Sequence, residues 1–193
     1  MIERKEDILK VSAILFSESG YDNTSTRELA KAVDLSIAGL YYFFPSKEEI
    51  LFNILDSSIA ELLESVRSAI KEDDDPQINI ARAIEYMVKH VIARRMNIGL
   101  LIKESNRLNP KKLEIISDKE RGIYKLIRDE ILRLSEQGRL KSFHLVSLTF
   151  AVIAIVQLTY RWFDLNGSLT VEEFVAEMID LFFYGVLKPS DDA

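Results

Sequence analysis

Residues 25–49 read STRELAKAVDLSIAGLYYFFPSKEE, and the spacing inside this stretch decides the fold. Ser25-Thr26-Arg27-Glu28 has the spacing of a capping box, in which Ser25 accepts from the Glu28 N–H and Glu28 reaches back. Leu29, Ala30 and Val33 follow at helical intervals, so a short helix to about Val33 is predicted. Asp34-Leu35 makes a tight turn. Ser36 can cap a third short helix ending near Phe44-Pro45, and Ser46-Lys47-Glu48-Glu49 is a second capping box opening a long helix to about Ile70. Upstream, Ile8, Val11, Ala13, Ile14, Leu15 and Phe16 form one helix stripe. It runs out at Ser19-Gly20, where Gly20 suits the left-handed residue that closes many helices. Two short helices around a turn, braced by an amphipathic helix, make a helix-turn-helix unit.

Downstream, the acidic run Glu72 to Asp75 is the clearest break in the chain. Asp75 as cap and Pro76 in the first turn restart a helix through about Arg95. A shorter helix over Gly99 to Asn106 is predicted next, and Asn109-Pro110 opens a long one ending at Gln137-Gly138. Another runs from about Ser142 to Phe163, before a turn at Asn166-Gly167-Ser168. A third capping box, Thr170-Val171-Glu172-Glu173, starts a last helix ending near Leu187, with Pro189 and an acidic tail beyond. The expected architecture is all-α, with about nine helices. A helix-turn-helix head over residues 1–47 precedes a larger helical domain over 48–193.

Composition narrows the function. The 193 residues are 48% hydrophobic and 29% charged, far from the profile of disorder. With no cysteine there is no disulfide, thiolate metal site or cysteine nucleophile. The two histidines, His90 and His144, come with no nucleophile elbow, phosphate loop or zinc-protease motif, so an enzyme is not expected. No cofactor and no metal are implied. The amino terminus carries charges where a signal peptide needs an apolar core, and the most apolar run, Leu145 to Val156, is too short to span a bilayer. A soluble cytoplasmic protein with no membrane partner is expected. The net charge of −6 argues against indiscriminate binding to nucleic acid.

The head suits DNA on geometric grounds. Its third helix can enter a major groove by its first residues, Ser36, Ile37, Ala38 and Gly39, with Tyr41 and Tyr42 one turn later. Lys47 follows where a phosphate could sit. Short capped helices also occur in any helical protein, and spacing alone leaves both readings open.

Ile8 to Leu55 resembles the DNA-binding region of the TetR family of transcriptional regulators. The matching positions are Phe16, Gly20-Tyr21, Thr24-Ser25-Thr26, Leu29-Ala30, Leu40-Tyr41, Phe44 and Lys47-Glu48. The resemblance implies that Thr26 and Arg27 touch phosphates or bases, that Tyr41 packs on the DNA backbone and that Lys47 anchors to phosphate. It assigns Leu29, Ala30, Val33, Leu35, Leu40 and Phe44 to the small core. Two positions depart from the pattern. Asp34 stands where the turn usually has Gly, which predicts a non-glycine residue in a left-handed conformation. Gly39 replaces the usual Thr or Ser and removes a hydroxyl. Ile37 and Ala38 then offer apolar contacts such as thymine methyls, leaving further readout to Tyr42, Arg27 and backbone approach at Gly39. Residues 1–55 hold six Lys/Arg against nine Asp/Glu. Placement must therefore serve instead of net charge, with Arg4, Arg27 and Lys47 facing phosphates.

For the rest of the chain the resemblance implies a ligand pocket and a dimer interface. Leu145 to Val156 is apolar nearly all round, and Phe174, Val175, Met178, Ile179, Leu181, Phe182, Phe183, Val186 and Leu187 exceed what one helix face needs. Packing of the last two helices against a second copy as a four-helix bundle meets that need; a monomer core is the alternative. Pocket candidates are polar or aromatic residues among apolar neighbours: Tyr86, His90, Arg94, Arg121, Tyr124, Gln157, Tyr160, Arg161 and Trp162. The run from Tyr160 to Phe174 is similar to a segment in the branch of the family that regulates fatty-acid and steroid catabolism, many members of which answer to acyl-CoA thioesters. That likeness implies an arginine such as Arg161 or Arg121 for the anionic group. The expected function is a repressor released from double-stranded operator DNA by a small hydrophobic or acyl-CoA-type effector. The alternatives are a regulator of multidrug efflux answering to unrelated hydrophobic compounds, and a helical adaptor without DNA binding.

Overall fold

A computed structural model describes residues 2–187; Pro189 and the acidic tail lie outside the described residues. Among those residues the chain forms nine α-helices: α1 (Ile2–Ser19), α2 (Thr26–Ala32), α3 (Ile37–Phe43), α4 (Lys47–Ala69), α5 (Pro76–Ala93), α6 (Arg95–Glu104), α7 (Pro110–Glu136), α8 (Leu145–Trp162) and α9 (Val171–Val186). A single 3₁₀ turn, Ser105–Arg107, sits between α6 and α7. One isolated antiparallel bridge joins Leu140 to Leu187. The all-helical expectation holds.

Local chemistry sets the boundaries. Ser25 accepts from the Glu28 N–H at 3.2 Å while the Glu28 carboxylate accepts from the Ser25 N–H at 2.7 Å, closing the first capping box. Thr170 and Glu173 close another at the start of α9. At α4, Ser46 caps the Glu49 N–H at 3.0 Å, but Lys112 and Asn53 take the Glu49 carboxylate. Gly20 has φ 84° and Asp34 φ 52°, both left-handed as predicted. Gly138, at φ 70°, ends α7 in the same way. Helix α6 starts at Arg95, four residues before the predicted Gly99. Its N-cap, Arg94, makes no side-chain capping bond, so the boundary has no polar signature. Helix α8 begins at Leu145, three residues after Ser142, for the same reason at His144.

The chain folds as two compact units. One contains residues up to Glu61 with Arg94–Lys119, the other Leu62–Ala93 with residues from Glu120 onward. These units do not follow a cut at residue 47, because α4 and α7 each contribute to both. In the first, α2 packs on α3, and α1 packs on both α2 and α6. Its core holds Ile8, Phe16, Leu29, Ala30, Val33, Leu40, Phe44, Ile50 and Leu51. Burying a side chain such as Phe16 contributes about 1.5–3 kcal/mol. In the second, α5 packs on α8 and α9 around Ile80, Ile84, Met87, Val88, Val152 and Val156. Helix α8 buries Leu148, Thr149, Val152, Val156 and Thr159, while Val146, Phe150, Leu158 and Trp162 remain exposed. It is the one described helix long and apolar enough to cross a membrane by length and composition.

Candidate nucleic-acid interface and effector region

Successive helical residues advance by about 100°, which places Ile37, Tyr41, Ala38 and Tyr42 along one exposed arc of α3. Their exposures are 44% for Ile37, 45% for Tyr41 and 76% for Tyr42, and Ala38 is also exposed. Leu40 points the other way and is buried. Ser36 is the N-cap, its oxygen accepting from the Gly39 N–H at 3.0 Å. Arg27 is exposed on α2, with Thr26 half-buried beside it.

Three of the predicted contact positions also meet neighbours within the protein. A Cβ built at Gly39 would meet the Ser36 Oγ at 3.2 Å and the Leu35 side chain at 3.6 Å. Gly39 is half-buried, and a side chain there would press on the preceding turn at Ser36 and Leu35. The Lys47 ammonium donates to the Tyr21 carbonyl at 2.7 Å and the Thr24 carbonyl at 3.0 Å. It also lies 4.2 Å from the centroid of the Tyr21 ring. Lys47 thus braces the α1–α2 loop from within. Arg4 donates to the Val33 carbonyl at 2.6 Å, tying α1 to the end of α2.

Sequence reasoning missed a polar seam in the same unit. Glu48 accepts from the Asn109 N–H at 2.9 Å and side-chain amide at 2.8 Å, and these bonds hold its carboxyl below the usual carboxylate range. Lys112 reaches Glu49 at 2.7 Å, and Arg107 pairs with Asp22 at 2.5 Å. The one visible signal was Asn109-Pro110, a helix start whose cap has a second use.

The nine predicted pocket residues are spread over α5, α7, α8 and the residue before α6. Arg94 belongs to the first unit, exposed and paired with Glu61 at 3.1 Å. In the second, Tyr86 and Arg121 are exposed, His90 and Tyr160 half-buried, and Tyr124 half-buried with its ring 5.6 Å from that of Phe150. Gln157, Arg161 and Trp162 are exposed on α8, with the Arg161 guanidinium over the Trp162 ring. A cavity of about 1210 Å³ opens elsewhere in this unit, lined by Asp75, Gln77, Ile78, Ala81, Arg139, Lys141, Glu177, Ile179, Asp180, Leu181, Phe183, Tyr184 and Leu187. None of the nine candidates lines it.

Comparison with known proteins gives the family. A family model described as "Bacterial regulatory proteins, tetR family" matches residues 8–54. Another, "Tetracyclin repressor-like, C-terminal domain", matches residues 73–186, more than half of the chain. The HTH-type transcriptional regulator YuxN of Bacillus subtilis (strain 168) is 22% identical over 180 residues, covering 93% of this chain. The chain spans 61% of that relative's length. The HTH-type transcriptional repressor KstR2 of Rhodococcus jostii (strain RHA1) is 21% identical over 188 residues, 96% of this chain and 92% of its own. Among solved structures, the TetR family regulator PfmR from Thermus thermophilus has TM-score 0.84 and 28% identity, over 92% of this chain and 97% of its own. AibR in complex with isovaleryl coenzyme A and operator DNA has TM-score 0.85 and 24% identity, over 93% and 98%. With head and body each matched in register, the chain belongs to the TetR family of bacterial transcriptional regulators.

Proposed function

We propose that this regulator is a cytoplasmic repressor that binds operator DNA as a homodimer and is released by a small hydrophobic or acyl-CoA-type effector. The observation that carries the reading is the exposed arc of Ile37, Ala38, Tyr41 and Tyr42, with Arg27 beside it on α2. In this reading DNA binding belongs to residues 1–47, and effector binding and dimerisation to 48–193. Support for the effector class comes from AibR, whose solved complex holds isovaleryl coenzyme A together with operator DNA. Tyr124, Tyr160 and His90, half-buried, are the better-placed effector contacts, with Arg121 or Arg161 for the anionic group.

The dimer reading rests on apolar surface. Val146, Phe150, Leu158 and Trp162 on α8 and Leu181 and Tyr184 on α9 are each more than half exposed. Exposed apolar side chains on both of the last two helices fit a four-helix interface with a second copy. Leu181→Glu is expected to yield monomers by light scattering and to weaken operator binding at least tenfold; a dimer unchanged by that charge sinks the interface. Effector action is a population shift, in which the ligand binds better to the arrangement that does not fit DNA. The direct test adds a panel of acyl-CoA thioesters to the protein–operator complex and watches for release. Release by an acyl-CoA supports the proposal; release only by unrelated hydrophobic drugs favours an efflux regulator. Failure to bind any DNA from the gene's own upstream region leaves the adaptor reading.

A further inference from the structure

We propose that the α3 arc selects operators through thymine 5-methyl groups, with Ile37 as the specificity-determining residue; this rests on the operator-binding reading above. Helix α3 reads IAGLYYF, and its outward face offers two aliphatic side chains and two phenols. Guanine is read most often by the paired donors of Arg or Lys, and adenine by the amide of Asn or Gln. Helix α3 has none of these. Lys47, the nearest downstream cation, commits its ammonium to the Tyr21 and Thr24 carbonyls, and Ser36, at the N-cap, accepts from the Gly39 N–H and retains a single hydroxyl donor. Arg27 stands on α2, outside the arc.

The arc therefore meets the groove floor with methyl and methylene groups first. In the major groove the one apolar feature that differs between base pairs is the thymine methyl. Ile37, the first helical residue, leaves 44% of its surface in water in the free protein. Covering it with a methyl removes water from both partners. Ala38, beside it, is small enough to let the helix approach, and Tyr42 adds a single hydroxyl at the far end of the arc. Such a surface discriminates thymine from cytosine by contact and desolvation, with guanine readout left to Arg27.

The test begins by enriching duplexes from a randomised pool on the full-length protein, then replaces each thymine of the selected half-sites by deoxyuridine, which deletes only the methyl. At one position per half-site the substitution is expected to weaken binding about fourfold, the factor for one buried methyl-sized group, and about fifteenfold when both half-sites are changed. In Ile37→Ala protein the penalty is expected to fall below twofold, while Ile37→Val retains most of it. Because Ile37 is 44% exposed, both variants should remain folded at the assay temperature, and neither should change the salt dependence of binding. Deoxyuridine that is neutral at every position, or a penalty that persists undiminished in Ile37→Ala, overturns methyl readout and leaves operator binding intact. A pool that yields no enriched sequence overturns the operator-binding reading, and this inference with it.

Discussion

Replacing Lys47 with Met keeps the side-chain stem and deletes the charge, so it separates an internal brace from a phosphate anchor. The ammonium makes two charge-assisted bonds, at 2.7 and 3.0 Å, and a contact with the Tyr21 ring. A hydrogen bond to a charged group contributes about 1.5–3 kcal/mol and a cation–π contact about 0.5–1 kcal/mol at an exposed site. Lys47 is half-buried, so water can replace part of this. A loss of about 2–3 kcal/mol follows. For a domain of this size that lowers the melting temperature by about 4–12 °C, measured at one protein concentration because a dimer's stability depends on it. DNA binding is then measured against salt at a temperature where the variant is folded. Each phosphate contact contributes about 0.9 to the slope of log affinity against log salt. As an internal brace, Lys47→Met leaves that slope unchanged. Unaltered stability together with a slope reduced by about 1.8, one contact per protomer, would refute the reasoning.

Two further perturbations probe the backbone and the caps. Asp34, at φ 52°, is expected to tolerate Gly with a change of no more than about 1 kcal/mol, whereas Asp34→Val should cost about 1–2 kcal/mol, because a β-branched side chain resists the left-handed region; urea midpoints check both. Bonds from the Ser25 hydroxyl and N–H hold Glu28 below the usual carboxylate range, and bonds from the Thr170 N–H and hydroxyl do the same for Glu173. A carboxylate held low in the folded state contributes its full stability above the unfolded value, 4.5, and loses it as pH falls through the folded one. Stability should therefore decline below about pH 4.5. Thr170→Ala is expected to cost about 1 kcal/mol at neutral pH and to flatten part of the acid decline.

What the sequence made legible was local. Capping boxes at Ser25 and Thr170, the left-handed Gly20 and Asp34, and the Pro starts of α5 and α7 all depend on residues within four positions of one another. The start of α6 left no trace because its cap makes no side-chain bond. Lys47 shows the limit for side chains: the pattern placed its Cα, but the direction of a four-carbon stem was decided by carbonyls 23 and 26 residues away. For the effector residues, the sequence offered only polar and aromatic positions among apolar neighbours. It had no means to tell a face that lines a cavity from one exposed to water.

The division of the chain into two units bears on how portable the reading head is. Helix α1 packs on α6, a segment about 90 residues later in the chain, and both belong to the same compact unit. A fragment ending at residue 47 loses that partner and leaves the α6-facing side of α1 bare. Grafting these 47 residues onto a foreign body would move the helix-turn-helix head without the helix that α1 rests on. A chimera that keeps the head folded as it is here would have to carry α4 as far as Glu61, α6 and the start of α7 as well, so the head and the middle of the chain are inherited together.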